Sequence, residues 1–355
     1  MNKMSEKPEE MPDNVTDQPL VTFALFAYNQ EQYIREAVEG AFAQTYEPLE
    51  IILSDDCSSD RTFEIMQEMA AVYEGPHEVI LNRLEKNIGT IDHVLRVARK
   101  ACGQLIVVAA GDDISLPDRT EKLTDVWVKT GAAVVYSGRL IMNDDGITTG
   151  IESNPEPMQR IQAIFSGTNC AKRYGGKVRN IPGYSAAYAT NFIASIPECG
   201  VGALNEDALT TMMANIQSFG IEAVELPLVR YRYASTSLSP RSEVMTIQDI
   251  IQRESRAAKF SRSSAVFFPF LFELIRQKPD PSGDLAIVLS RLEDIYRESI
   301  LICSSHEFGF FKRTALLTQC RSLSECKLVG SRLMGIHFYA LIKFAVINLT
   351  RRWVQ

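Results

Sequence analysis

An uninterrupted apolar run, Leu105–Ala110, ends abruptly in Gly111-Asp112-Asp113. A short apolar run without polar alternation predicts a strand buried on both faces, as in a parallel sheet covered by helices. In open α/β sheets, ligands bind beyond the carboxyl ends of the strands. Carboxylates there are hard oxygen ligands suited to Mg2+ or Mn2+ holding a phosphate. The Asp pair therefore predicts a site at the sheet rim, the alternative being a cap on the following turn.

Strand-like and helix-like segments alternate before this run. Three earlier apolar stretches predict strands: Leu20–Ala27, Leu49–Leu53 and Glu78–Leu81. Between the first two, Gln30–Gln44 places apolar residues at helical spacing, and similar patterns follow the second and third strands. Strands alternating with helices of this length predict an α/β fold with a mostly parallel sheet and right-handed crossovers.

The pattern is less regular after Asp113. Residues 138–147 predict a hairpin that turns at Asn143-Asp144-Asp145-Gly146. Residues 150–180 have no clear period and include a basic cluster, which predicts an irregular, functional or mobile segment. A helix is predicted from Asn205-Glu206-Asp207 to Gln217, followed by a strand region over residues 221–233. Beyond Pro240 the patterns are helical.

Charge divides the chain into two parts. The net charge of −7 is made of 20 Lys and Arg against 33 Asp and Glu in residues 1–240, and 17 against 11 in residues 241–355. This balance argues against general nucleic-acid binding and favours contact of the second part with an anionic surface. We expect a disordered polar tail over residues 1–19, a catalytic domain over 20–240 and a helical region over 241–355.

The cysteines and the N-terminus predict a cytoplasmic protein. Seven cysteines are scattered without Cys-x-x-Cys spacing, which favours free thiols and no zinc site. The first residues are polar and acidic, unlike the basic and then apolar start of a signal peptide.

Four stretches occur in the order and spacing of family-2 glycosyltransferases, which use nucleotide-sugar donors. They are Phe26-Ala27-Tyr28-Asn29, Ser54-Asp55-Asp56-Cys57-Ser58-Ser59-Asp60, Asn87-Ile88-Gly89 and Asp112-Asp113 with Leu116-Pro117-Asp118-Arg119. Glu206-Asp207 is similar to the family's catalytic carboxylate pair, and Tyr231-Arg232 to the end of its domain. The resemblance covers residues 20–240. It implies the GT-A fold, an α/β class, and inverting transfer of a sugar.

The resemblance also implies which residues bind the donor nucleotide. Ala27, Tyr28 and Asn29 lie along the base and ribose in this interpretation. Asp55 is favoured as the acceptor of a base N–H, with Asp56 as the alternative. Asn87 and Gly89 resemble residues that close over the nucleotide, and they also fit a tight strand-to-helix turn.

The remaining site residues surround the diphosphate and the acceptor. Asp113 resembles the family's metal ligand for Mg2+ or Mn2+, with Asp112 on the ribose. Ala110 and Ala234 replace residues of the fuller metal motifs, so Arg232 or the basic cluster within residues 150–180 is the alternative source of positive charge. Asp207 resembles the general base, supported by Glu206; its alternative role is a carboxylate in the first turn of a helix.

The partners predicted are a UDP-, dTDP- or GDP-sugar and a glycan or lipid-linked acceptor, in cell-envelope polysaccharide synthesis. Residues 335–354 combine aromatic and apolar residues with Arg351-Arg352-Trp353, a pattern that fits either a helix at a membrane surface or one docked on protein. A catalytically weak nucleotide-sugar-binding subunit is the competing hypothesis. A dehydrogenase is disfavoured because no Gly-x-Gly-x-x-Gly follows the first strand.

Overall fold

The computed structural model describes residues 18–153, 159–173, 175–198, 206–217, 219–233, 247–280, 283–307, 315–321 and 323–330. The predicted tail, the boundary at residue 240, Ala234 and residues 335–354 therefore lie outside the described residues, except for residues 18 and 19. Along the described part, no helix has both the length and the apolar character needed to cross a bilayer.

The first half of the chain alternates strands and helices as predicted. Its elements are β1 Val21–Ala27, α1 Ile34–Phe42, β2 Leu49–Asp55, α2 Thr62–Ala71, β3 Glu78–Arg83, α3 Thr90–Ala98, β4 Leu105–Ala110, β5 Ile114–Ser115 and α4 Arg119–Thr130. Strands β3, β2, β1 and β4 lie side by side in this order and are all parallel. Strand β4 is the predicted apolar run, and its first five residues are buried.

The second half completes a mixed sheet. Its elements are β6 Val134–Met142, β7 Thr148–Glu152, α5 Gln159–Phe165, α6 Asn169–Arg173, β8 Ala186–Ala189, α7 Thr190–Ala194, α8 Glu206–Ile216, β9 Ile221–Arg232, α9 Ile247–Arg276, α10 Asp284–Glu307 and α11 Leu323–Gly330. Among the described strands the order is β3-β2-β1-β4-β8-β6-β9-β5, with β7 beside β6. Strand β8 is antiparallel to both β4 and β6, whereas β6 and β9 are parallel.

The hairpin prediction is confirmed: β6 and β7 pair antiparallel around the turn at Asn143–Gly146. The prediction of an irregular segment over residues 150–180 is wrong in part, because α5 and α6 lie within it. These helices have seven and five residues. Neither is long enough to repeat an apolar face, so the helical period is not visible in the sequence.

Helices cover both faces of the sheet. One buried cluster joins the sheet to α1, α2 and α4 through residues such as Ile34, Met66 and Leu123. The other joins it to α3, α7 and α8, and extends without a break into α9 and α10 through Leu271 and Leu292. Residues 247–307 therefore share their hydrophobic core with the sheet. This layered packing leaves the carboxyl ends of β1, β2 and β4 together at one edge, where the predicted site lies.

Candidate active site

A cleft of about 340 Å³ opens where β1 and β4 end. It brings together five of the predicted site residues: Ala27, Tyr28, Asp56, Asp112 and Asp207. The rest of its lining consists of Phe26, Gln30, Thr90, His93, Val94, Val108, Ala109, Ala110 and Tyr184. Residues far apart in sequence therefore converge at the sheet edge that the strand pattern indicated.

Asn29 holds the turn after β1 in place. Its backbone has φ of 52°, its N–H donates to Ser58 Oγ at 2.8 Å, and its Oδ1 accepts the Ser59 N–H at 2.8 Å. These bonds fasten the β1–α1 turn to the loop after β2. Asn29 is not among the lining residues, whereas its neighbour Tyr28 lines the cleft and is 48% exposed.

The two carboxylates that follow β2 differ in position. Asp55 is fully buried below the loop, where Oδ2 accepts the Ser58 N–H at 2.9 Å and lies 3.4 Å from Arg83 Nε. Asp56 lines the cleft and accepts hydrogen bonds from the N–H groups of Ile88 and Gly89, both at 2.9 Å. Burial raises the pKa of Asp56, and the two N–H groups oppose this rise by favouring the carboxylate.

The segment Asn87–Gly89 connects β3 to α3 against Asp56. Gly89 has φ of 82° and ψ of 160°, a conformation that is essentially restricted to glycine. Asn87 is exposed. Gly89, which the sequence predicted in a tight turn near the nucleotide, therefore has a backbone conformation that points its N–H group at Asp56.

The turn after β4 carries Asp112 and Asp113 in different settings. Gly111 is required there because a Cβ would lie 2.8 Å from the Ala27 Cβ. Asp112 lines the cleft and is partly buried, whereas Asp113 is 4% exposed. Burial and the neighbouring Asp112 raise the pKa of Asp113 well above its ordinary value.

Arg232 supports this turn from the end of β9. Its backbone N–H donates to Asp113 Oδ1 at 2.8 Å, and its Nε donates to the Asp112 carbonyl at 3.0 Å. Its Nη2 pairs with Glu36 Oε2 at 2.6 Å, and its guanidinium lies 4.5 Å from the centre of the Tyr33 ring. Arg232 is 1% exposed and does not line the cleft.

Arg119, from the Leu-Pro-x-Arg continuation of the motif, is buried below the cleft. It donates to the carbonyls of Val108 and Tyr184 at 2.6 and 3.1 Å and to Ser115 Oγ at 2.8 Å. Burial lowers its pKa to about 9. Its contacts join the end of β4 to the segment that carries Tyr184.

Asp207 lies in the first turn of α8, and its carboxylate reaches the cleft. Oδ1 accepts the Gly183 N–H at 2.6 Å, which fixes the side chain beside Tyr184. Burial raises the pKa of Asp207 to about 6, against the opposing effect of that hydrogen bond. A carboxylate with such a pKa can accept a proton near neutral pH. Glu206 opens the same helix, but its side chain is not described.

Three lining residues that sequence reasoning missed are His93, Tyr184 and Gln30. His93 lies on the apolar face of α3 and resembles a core residue in the sequence. Tyr184 belongs to a stretch of small residues before β8, and only the tertiary fold brings it beside Asp207. Gln30 lines the cleft with Asp112, and its side chain opposes the rise in the pKa of Asp112 that burial causes. The position of Gln30 directly after the Tyr-Asn pair was the one available signal.

The charges in the cleft suit a metal ion that is shared with a phosphate ligand. Its lining contains three carboxylates and, among the described residues, no Lys or Arg. No group of three metal-ligating side chains occurs in the described part of the chain. Mg2+ is commonly held by one or two carboxylates plus phosphate oxygens and waters. Asp113 is not itself a lining residue, but it directly follows Asp112, which lines the cleft, and among the described residues its carboxylate accepts one hydrogen bond, from the Arg232 N–H. Two adjacent carboxylates with this little internal hydrogen bonding fit that mode of binding.

This geometry defines an α/β protein with a carboxylate-lined cleft at the strand ends. Residues 22–194 match the family model described as glycosyl transferase family 2. The mixed sheet covered by helices on both faces has the α/β class that the sequence predicted. Asp207 follows the matched range.

Two curated relatives from Bacillus subtilis (strain 168) resemble parts of the chain. "Putative glycosyltransferase EpsE" is 33% identical over 143 residues, which are 39% of this chain and 50% of that protein. "Putative teichuronic acid biosynthesis glycosyltransferase TuaG" is 30% identical over 128 residues, or 36% of this chain and 50% of that protein. The chain spans about half the length of these curated relatives.

Among solved structures, S. aureus TarS 1-349 in complex with UDP-GlcNAc is 15% identical, with a TM-score of 0.47. The match covers 88% of this chain and 90% of that chain.

Proposed function

We propose that this protein is an inverting, metal-dependent glycosyltransferase that moves a hexosyl group from a nucleoside-diphosphate sugar to a glycan or lipid-linked acceptor. The observation that carries the proposal is that Asp56, Asp112 and Asp207 line one cleft at the carboxyl ends of parallel strands. The three carboxylates would serve base recognition, ribose binding and proton transfer, in that order.

The donor nucleotide lies along Ala27 and Tyr28 in this proposal. Both line the cleft, and Asn29 holds their turn. Asp56 is better placed than Asp55 to accept the base N–H, because Asp56 lines the cleft while Asp55 is fully buried. Gly89 contributes by holding Asp56 in place. The exposure of Asn87 is compatible with closure over the nucleotide.

Asp113 would hold the Mg2+ or Mn2+ ion, and Asp112 would contact the ribose. A metal at this position would stabilise the negative charge of the leaving diphosphate. The position of Asp113 directly after Asp112, which lines the cleft, supports this role, as does the absence of Lys and Arg from the described lining. Arg232 contributes its charge from beneath the turn, where its donors hold Asp112, Asp113 and Glu36.

Asp207 is the general base. It takes the proton from an acceptor hydroxyl while that oxygen bonds to the anomeric carbon, and the bond from the anomeric carbon to the diphosphate oxygen breaks on the opposite face. This in-line displacement inverts the anomeric configuration. The pKa of about 6 supports the role, because the carboxylate is ionised at neutral pH and still basic enough to accept a proton. We assign Glu206 a supporting contact with the acceptor.

The biological setting we propose is cell-envelope polysaccharide synthesis at the cytoplasmic face of the membrane. The family 2 domain supports it, as does the name of TuaG, which refers to teichuronic acid biosynthesis. The basic and aromatic residues at 335–354 would contact the membrane surface. Co-sedimentation with anionic vesicles, lost on truncation after Lys327, would support this contact; equal sedimentation of both forms would contradict it.

The Asp207→Asn substitution tests the catalytic proposal. The amide can still accept the Gly183 N–H, so we expect a folded protein with unchanged nucleotide affinity. Loss of the base should lower the transfer rate by roughly 100- to 10,000-fold. Transfer is measured with the donor identified in a thermal-shift screen of UDP-, dTDP- and GDP-sugars with Mn2+. Asp284→Asn, at the start of α10, is a matched control. Retained transfer in Asp207→Asn would refute the assignment, and equal loss of transfer and nucleotide binding would indicate a structural role.

A further inference from the structure

His93 is a buried histidine on the wall of the cleft, next to Asp56. The residue is 2% exposed, and its ring meets Phe26 edge-on with centroids 4.9 Å apart. Gly89 contacts both residues: its carbonyl accepts the His93 backbone N–H at 3.0 Å, and its own N–H donates to Asp56 Oδ2 at 2.9 Å. His93 and Asp56 both line the cleft, so one ligand in it can contact both.

Neighbouring hydrogen bonds determine which ring nitrogen of His93 carries the proton. Nε2 lies 2.5 Å from Ser54 Oγ, and this same oxygen accepts Asn82 Nδ2 at 2.8 Å. The orientation of the Asn82 amide follows from Lys100, whose Nζ donates to Asn82 Oδ1 at 3.1 Å. Among the described residues, Nε2 is the only acceptor that the structure offers to the fully buried Ser54 hydroxyl. An unsatisfied buried donor is costly, so the Ser54 O–H donates to Nε2 and the ring proton lies on Nδ1.

The Nδ1–H group is available to a ligand. Among the described residues Nδ1 has no hydrogen-bond partner, it is not one of the enclosed unpartnered atoms, and His93 lines the cleft. Burial lowers the pKa of His93 to about 3, which keeps the imidazole neutral. The cleft wall therefore presents one neutral donor beside one carboxylate acceptor.

We propose that His93 is a specificity-determining residue, whose Nδ1–H acts with the Asp56 carboxylate to select a nucleobase that presents a ring N–H beside a carbonyl oxygen. This proposal rests on the proposed function and specifies its donor class. Uracil and thymine offer N3–H beside O4 or O2, and guanine offers N1–H beside O6. Asp56 accepts the ring N–H, and His93 donates to the carbonyl oxygen.

Cytosine and adenine have the opposite pattern. Each presents an unprotonated ring nitrogen beside an amino group, so the ring nitrogen would face the Asp56 carboxylate and the amino group would face the Nδ1–H. Both contacts would leave polar groups unpaired, which is a strong source of rejection in enclosed sites. The donor is therefore a uridine, thymidine or guanosine diphosphate sugar.

Calorimetric titration with UDP, GDP, CDP and ADP in the presence of Mn2+ tests the proposal. We expect the wild type to bind UDP or GDP more tightly than CDP and ADP. His93→Phe keeps the ring and removes the donor, so its affinity for the preferred nucleotide should fall about tenfold, the size of one net hydrogen bond, with little change for CDP. His77→Phe is the matched control, since His77 is another buried histidine, bonded to the Gln44 carbonyl outside the cleft.

Two further variants address the fold and the tautomer. His93→Gln provides both an amide donor and an oxygen for Ser54, so the nucleotide preference should be largely restored. Ser54→Ala removes the hydroxyl that fixes the tautomer and should weaken the preference. Unchanged nucleotide preference in both His93→Phe and Ser54→Ala would overturn the proposal, as would a wild type that prefers CDP or ADP. A folded wild type that binds none of these nucleotides would instead refute the proposed function.

Discussion

The backbone N–H of Arg232 donates to Asp113 Oδ1 at 2.8 Å, while the side chain of Arg232 holds the Asp112 carbonyl and pairs with Glu36. One residue at the end of β9 thus connects the turn after β4 to helix α1. Arg232 Nη1 also donates a hydrogen bond to the Asp144 carbonyl at 2.8 Å, which connects the β6–β7 turn to the same residue. The position of the two carboxylates consequently depends on segments from three distant parts of the chain.

Replacing Arg232 by Met should impair both stability and metal use. The substitution removes charge-assisted hydrogen bonds inside the protein, each worth about 1.5–3 kcal/mol, so the free energy of unfolding should fall by at least that amount. The turn would also lose its support, and we expect a higher Mn2+ concentration for half-maximal transfer. Urea unfolding and Mn2+ titration measure the two effects.

Arg230→Met is the matched control for that substitution. Arg230 lies on the same strand and donates to the Gly146 carbonyl at 2.6 Å, without a bond to Asp112 or Asp113. This variant should keep the wild-type Mn2+ requirement. If Arg232→Met also kept it, the support of the Asp turn by Arg232 would have no role in metal binding.

The extent to which sequence predicts this fold differs between its two halves. Strand β4 follows directly from the run Leu105–Ala110, because a continuous apolar run has few other stable locations. Strand β5 has two residues, Ile114 and Ser115, and exists through pairing with β9. Such a short strand has no periodicity of its own. The insertion of β8 between β4 and β6 likewise depends on non-local pairing.

The candidate site likewise contains residues that local sequence motifs predict and residues whose roles depend on non-local contacts. Asp112 and Asp207 follow from motifs, whereas the roles of Arg232 and His93 depend on partners distant in sequence. Arg232 pairs with Glu36 across 196 positions, and His93 bonds to Ser54 across 39. The difference between Asp55 and Asp56 is also tertiary, since two adjacent carboxylates look equivalent until a loop covers one of them.

Separate substitutions should distinguish the two carboxylates after β4. Asp113→Asn keeps an oxygen for the Arg232 N–H but removes the charge, so we expect Mn2+-dependent nucleotide binding to fall at least about tenfold. Asp112→Asn should weaken nucleotide binding equally with and without Mn2+, as expected of a ribose contact. Calorimetry with and without the metal measures both. If only Asp112→Asn lost nucleotide affinity in a metal-dependent way, Asp112 would be the metal ligand and Asp113 the ribose contact.

The pH dependence of transfer should report Asp207. Its pKa is raised to about 6, and the general base acts in its ionised form. Below pH 6, kcat/KM should therefore fall about tenfold per pH unit, and above pH 7 it should level off. A profile that stays flat down to pH 4.5 would contradict the role of Asp207 as base.

The same pKa shift predicts that stability changes with pH in the direction opposite to transfer: as the pH rises, transfer increases and the contribution of Asp207 to stability decreases. Because the folded state binds the Asp207 proton more tightly than the unfolded state, the stabilising contribution is complete below the ordinary carboxyl pKa and is lost as pH rises through about 6. Asp207→Asn should therefore raise Tm at pH 8 relative to the wild type by more than it does at pH 4. Thermal unfolding at the two pH values measures the difference.

Gly89→Ala should connect backbone conformation to nucleotide binding. At φ of 82° and ψ of 160°, a side chain costs roughly 1–3 kcal/mol, and relief of this strain would move the N–H that holds Asp56. Gly146→Ala is the control, because Gly146 also has a positive φ of 76° but lies in an open turn with nothing within 4 Å of an added Cβ. We expect both variants to lose stability and only Gly89→Ala to lose affinity for UDP or GDP. Equal affinities in the two variants would show that nucleotide binding does not depend on the conformation of Gly89.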